Sequence, residues 1–172
     1  MKKVLFGLGA IVFAVIFYLS YTEFAYSPLE DKDFKKLFKQ NVDADKLCSI
    51  DFLGFNAKGE LFEIYKYGVS EIEIEIDSAL PNIQVWENKE ITSNTIVGKW
   101  KTCPLDTLST QLYEFTLTAN DFDKWDCSNT FNKELKDPKN YYCYIHLNEL
   151  EQYFLLYNPK EETFYYLRRK GF

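Results

Sequence analysis

The stretch YYCYIHLNELEQYFLLYNPKEETFYYLR, residues 141–168, decides the architecture. It holds three runs dense in aromatic and aliphatic side chains: Tyr141–Leu147, Tyr153–Tyr157 and Thr163–Arg168. Such side chains suit a pleated, buried surface, and each run has the length of a strand rather than a helix. Asn158-Pro159-Lys160-Glu161-Glu162 has the chemistry of a turn between the last two. The stretch therefore predicts a three-stranded antiparallel meander.

Working towards the N-terminus, Leu61–Tyr67 and Val69–Asp77 read as a hairpin around Gly68. The second member contains Glu71-Ile72-Glu73-Ile74-Glu75-Ile76-Asp77, with strict period two. A strand here would turn its isoleucines to the core and its carboxylates to solvent. Ile83–Glu87, Ile96–Thr102 and Gln111–Thr118 are further expected strands. The polar stretch Asn120–Asp137 is expected to hold short helical turns, with Phe131 and Leu135 pointing inward, ending before Pro138. Trp86, Trp100 and Trp125 are expected in the core.

Earlier still, Phe34, Leu37 and Phe38 form one apolar stripe at helical spacing. Ser27-Pro28-Leu29-Glu30 reads as an N-cap, a first-turn proline and a capping-box glutamate. An amphipathic helix from about Pro28 to Lys39 is expected to pack on the sheet. Before it, Lys2-Lys3 precede the apolar run Val4–Leu19, about 24 Å long as a helix at ~1.5 Å per residue. A bilayer needs roughly 20 residues, and extension through Tyr21, Phe24 and Tyr26 makes up the length. Tyr18, Tyr21, Phe24 and Tyr26 would form an aromatic belt on one side, and the lysines keep the N-terminus cytoplasmic.

The expected fold class is thus α+β. An N-terminal transmembrane or signal-anchor helix comes first. One mainly antiparallel β-sheet domain follows, with an amphipathic helix at its start and the C-terminal meander. Residues 1–27 are the membrane anchor, crossing through 4–21, and 28–172 are an extracytoplasmic, disulfide-containing domain. A cleaved signal peptide, giving a secreted protein, is the alternative. Its cleavage triplet Ala25-Tyr26-Ser27 is followed by Pro28, which disfavours processing. The absence of an Asn-x-Ser/Thr sequon leans towards a bacterial envelope, with the domain in the periplasm.

The chain of 172 residues has a net charge of −6. An acidic protein without a basic patch is a poor nucleic-acid binder, because phosphate neutralisation supplies most of that affinity. The favoured partner is another protein, basic in character. Glu71, Glu73, Glu75 and Asp77 are the candidate docking residues, against the alternative of a merely solvated face. Cys48, Cys103, Cys127 and Cys143 all follow the apolar run. In an exported domain they imply two disulfides, with Cys48–Cys103 and Cys127–Cys143 as the expected pairing.

No metal or cofactor is expected. There is no C-x-x-C, and His146 stands alone, so zinc is disfavoured. Asp121, Asp123 and Asp126 begin like a calcium loop, but Trp125 occupies the third ligand position and Asn132 the closing one. No nucleophile or metalloprotease pattern occurs, so the domain is expected not to be an enzyme. Arg168-Arg169-Lys170 reads as a solvated basic tail. The expected function is a membrane-anchored, envelope-facing protein-binding module, in its most specific form an immunity protein against a periplasm-delivered toxin. A structural subunit of a secretion, pilus or division assembly is the alternative, and a carboxylate-based envelope hydrolase is less favoured.

Overall fold

The computed structural model describes residues 9, 11–15, 27–53, 60–76, 85–86, 89–111 and 130–171. The chain divides into two compact units, Met1–Glu30 and Asp31–Phe172. In the first, residue 9 and residues 11–15 are helical, and Ile11, Val12, Phe13 and Val15 are exposed. The rest of the expected membrane segment lies outside the described residues. Among the described residues, no helix is long and apolar enough to cross a membrane. The Ser27 hydroxyl donates to the Leu29 carbonyl (2.9 Å). The expected helix accordingly starts three residues late, as α1 (Asp31–Phe38) in the second unit. Asp31 and Asp33 in its first turn and Lys35 and Lys36 in its last complement the helix dipole.

The second unit is built on one antiparallel sheet. In chain order its strands are β1 (Ala44–Asp51), β2 (Leu61–Val69), β5 (Ile96–Val97), β6 (Lys101–Thr102), β7 (Tyr141–Asn148), β8 (Glu151–Asn158) and β9 (Thr163–Lys170). Their spatial order is β1-β2-β9-β8-β7-β5, with β6 also paired to β7. A separate ribbon pairs β3 (Val85–Trp86) with β4 (Lys89–Glu90). The expected meander is present as β7, β8 and β9, and its last strand pairs in turn with β2.

Several expectations need correction. Gly68 is not a hairpin turn: it lies within β2, facing Asp45 on one side and Thr163 on the other. Nor is Val69–Asp77 a strand: β2 ends at Val69, and residues 71–75 join no ladder among the described residues. Ile96–Thr102 is split into β5 and β6. Gly98 between them sits so close to β7 that an added Cβ would lie 3.0 Å from the Tyr144 carbonyl oxygen. Of Ile83–Glu87, only Val85–Trp86 is described. Residue 111 is helical, in a stretch described over 107–111, and the remainder of the expected strand Gln111–Thr118 lies outside the described residues.

Strand alternation gives the sheet two buried faces. One carries Ile64, Tyr142, Tyr144, Phe154, Leu156, Tyr165 and Leu167 in a cluster with Cys103. The helix α2 (Phe131–Glu134) covers it, and Phe131 and Leu135 are buried there as expected. The other face receives α1. Phe34 meets Tyr67 and Phe164 edge-on, at 5.2 and 5.6 Å between ring centroids, and Phe38 stacks on Trp100 at 5.4 Å. Further along this face Trp86 packs edge-on against Tyr153 and Tyr166. Both faces being covered explains why every residue of β8 is buried, and why its sequence does not alternate.

Candidate functional site

The acidic segment leaves β2 along the edge of the second face. Ser70 donates its N–H to the Asp43 carbonyl, and the Ile72 N–H bonds the Tyr157 hydroxyl (3.1 Å) with the Ile72 side chain buried. Beyond that anchor burial fades. Ile74 is half-buried and Ile76 is exposed, while Glu71, Glu73 and Glu75 are exposed throughout. Asp77 lies outside the described residues. The three carboxylates therefore lie exposed on chain outside the ladders rather than on a strand.

The cysteines depart from expectation. Cys103 and Cys143 are buried free thiols, so neither Cys48–Cys103 nor Cys127–Cys143 forms. Cys103 joins the cluster of Tyr142 and Tyr144, against which Cys48 also packs, whereas Cys143 lies between those two on β7 and points to the opposite face. Cys48 is disulfide-bonded. Cys127 lies outside the described residues, as do Asp121, Asp123, Asp126 and Trp125.

Arg168 is not part of a solvated tail. It is buried, ion-paired through Nε to Glu63, and lies over the Tyr65 ring. Tyr65 in turn donates to Glu63 (3.1 Å). Nearby, Lys89 of β4 pairs with the buried Glu151, which Lys170 approaches to 4.0 Å. These pairs stitch β2, β8, β9 and the small ribbon together. Reading β9 as ending at Arg168 hid them, since cross-strand partners are set by register. His146 is half-buried on β7, and burial lowers its pKa from the ordinary value, against a smaller opposing effect of Glu149.

A polar cleft that the sequence did not signal lies above the first face, between α2 and the β8–β9 turn. It has a volume of about 400 Å³, and every lining residue is a lysine, threonine, asparagine or acid. Glu134 is buried there. Thr130 and Tyr165 both donate hydroxyl hydrogen bonds to its Oε1, at 2.7 and 2.9 Å. Thr130 thus spends its hydroxyl on a side chain instead of capping α2. The Asn140 amide donates to the Glu134 carbonyl at 2.9 Å, fixing the end of the helix. Lys66 sits over the Tyr165 ring, 5.1 Å from its centroid. Burial, first of all, pushes the Tyr165 hydroxyl above the usual phenol range, so it remains a donor. At the rim Lys160 pairs with Glu161 at 2.7 Å.

Among the described residues, no three His, Cys, Asp or Glu side chains converge as a metal site. Compared with protein-family models, curated proteins and solved structures, the chain matches none.

Proposed function

We propose that this protein is a protein-binding module held at a bacterial inner membrane by residues 4–21, with its sheet domain in the periplasm, and that it docks a basic partner through the segment 71–77. The acidic segment carries the reading: it lies outside the ladders, is anchored at its base by Ile72, and exposes Glu71, Glu73, Glu75 and Ile76. Chain outside the ladders offers backbone groups as well as charges to a partner, and surface carboxylates steer a basic one during encounter. The Cys48 disulfide supports an oxidising compartment. In its most specific form the module is an immunity protein that neutralises a toxin arriving in the periplasm.

The test places a photo-crosslinking amino acid at Ile76 in the full-length protein, in its own membrane. A discrete protein adduct is expected, and it should fall several-fold when Glu71 and Glu73 are changed to Gln or when salt is raised. An adduct indifferent to both changes, or none at all, would contradict the reading. Thermal stability of the double variant should match the parent, because both side chains are solvated.

A further inference from the structure

We propose that the outer side of α1 docks on anionic phospholipid head groups of the membrane that residues 4–21 are proposed to cross, through Lys32, Lys35, Lys36 and Lys39. This rests on the membrane-anchor part of the reading above and is independent of docking through the acidic segment.

The helix has two unlike sides. Phe34, Leu37 and Phe38 are buried in the domain. Lys32, Lys35 and Lys36 are exposed. At about 100° per residue, these three lysines span an arc of roughly 100°, centred about 160° away from the buried stripe. Lys39, also exposed, stands four residues after Lys35, and its N–H closes the helix on the Lys35 carbonyl at 2.9 Å. Asp31 and Asp33 fall on the two flanks of the lysine arc, and Asp33 meets Lys36 at 3.3 Å. An exposed pair of that kind is weak and competes poorly with a charged surface. Residues 31–39 thus carry four lysines against two aspartates, in a chain whose net charge is −6. Packing does not account for the lysines, because the fold uses only the opposite side of the helix.

Position in the chain selects the partner. Residues 22–30 alone separate α1 from the proposed span. Fully extended chain covers at most ~3.6 Å per residue, so the helix starts within about 30 Å of the bilayer. Lysines clustered beside a membrane-crossing segment are attracted by anionic head groups, and the attraction acts within a Debye length of ~8 Å. The lysine stems are long enough to carry their ammonium groups to lipid phosphates while the helix stays packed on the sheet. The acidic remainder of the chain is repelled by the same surface, so the lysine side is the one that can approach it. An acidic protein would have to reach these lysines next to the bilayer, whereas the head groups are there at all times.

The experiment places the full-length protein in lipid nanodiscs of phosphatidylcholine alone or mixed with phosphatidylglycerol, and also labels it in its native membrane. Amine acylation is followed lysine by lysine by mass spectrometry. Lys32, Lys35, Lys36 and Lys39 should react at least about threefold more slowly in the anionic discs, and roughly 1 M salt, where the Debye length is ~3 Å, should restore their rates. Lys136 and Lys139, exposed beside α2, should react equally in both discs. Changing Lys35 and Lys39 to Glu should abolish the protection of Lys32 and Lys36, and the fold survives because both side chains are exposed. Equal rates in the two discs overturn the proposal, as does protection that persists in the double variant. Protection seen only in the native membrane also overturns it and assigns this side to an acidic protein. Protein that never enters the discs removes the anchor reading and this proposal with it, whereas inserted protein with unprotected lysines removes this proposal alone.

Discussion

Cys103, Cys143 and Tyr165 carry protons that burial will not let go. Burial, followed by the charges of Asp137 and Glu134, pushes the Cys103 thiol from 9.0 up to about 12. Burial alone raises Cys143, against weaker opposing effects, and burial likewise dominates at Tyr165. In the unfolded chain these acids ionise near their ordinary values, so above pH 9 the unfolded state binds fewer protons than the folded one. The stability they contribute is complete below pH 9 and is lost as pH rises towards 12. Denaturant midpoints should therefore fall steadily between these limits. Cys103→Ala should remove up to about 1.4 kcal/mol per pH unit of that slope. A profile equally steep in the variant would show that this thiol ionises freely in the fold. The presence of four cysteines was legible in the sequence, but their oxidation state was not. Pairing depends on three-dimensional proximity, and Cys103 reaches its place by a loop entry that no local pattern encodes. The cleft was illegible for the same reason: Lys66, Glu134 and Thr163 come from three distant parts of the chain.

At the scale of elements, legibility followed burial. The meander could be read because β7, β8 and β9 are packed with aromatics and joined by tight turns. Strand β1 was missed because among the described residues it pairs only with β2, alternates between half-buried and exposed, and is largely polar. The opposite error occurred at Glu71–Asp77. Period-two alternation marks extended chain with two unlike sides, and pairing does not follow from it. Only Ile72 of the three isoleucines reaches the core. The junction of β5 and β6 gives a sharp test. Gly98 donates its N–H to the Tyr144 carbonyl at 2.7 Å, and a Cβ there would meet both that oxygen and the Tyr144 ring at 3.0 Å. The oxygen belongs to β7, held on both sides, and cannot yield. Gly98→Ala should destabilise by about 1–3 kcal/mol in equilibrium unfolding, the cost of forcing extra volume into packed structure. A variant as stable as the parent would mean that β5 and β6 are not held against β7 as described.

At the scale of the whole molecule, a sheet buried on both faces hangs its polar features on the margins. The ion pairs of Arg168 and Glu151 close one margin, the acidic segment leaves another, and the cleft opens beside α2. The proposed role depends on the compartment, because a disulfide at Cys48 and a partner outside the cytoplasm both require export. The lysine pair and apolar run at the start of the chain motivate that export. The most direct measurement is a topology assay on the full-length chain, with a reporter that works only outside the cytoplasm fused after Phe172 and, separately, one that works only inside. Activity of the first reporter alone, with the protein recovered in the membrane fraction, is the predicted result. Activity of the second alone would contradict export, and the proposed docking of an envelope partner with it.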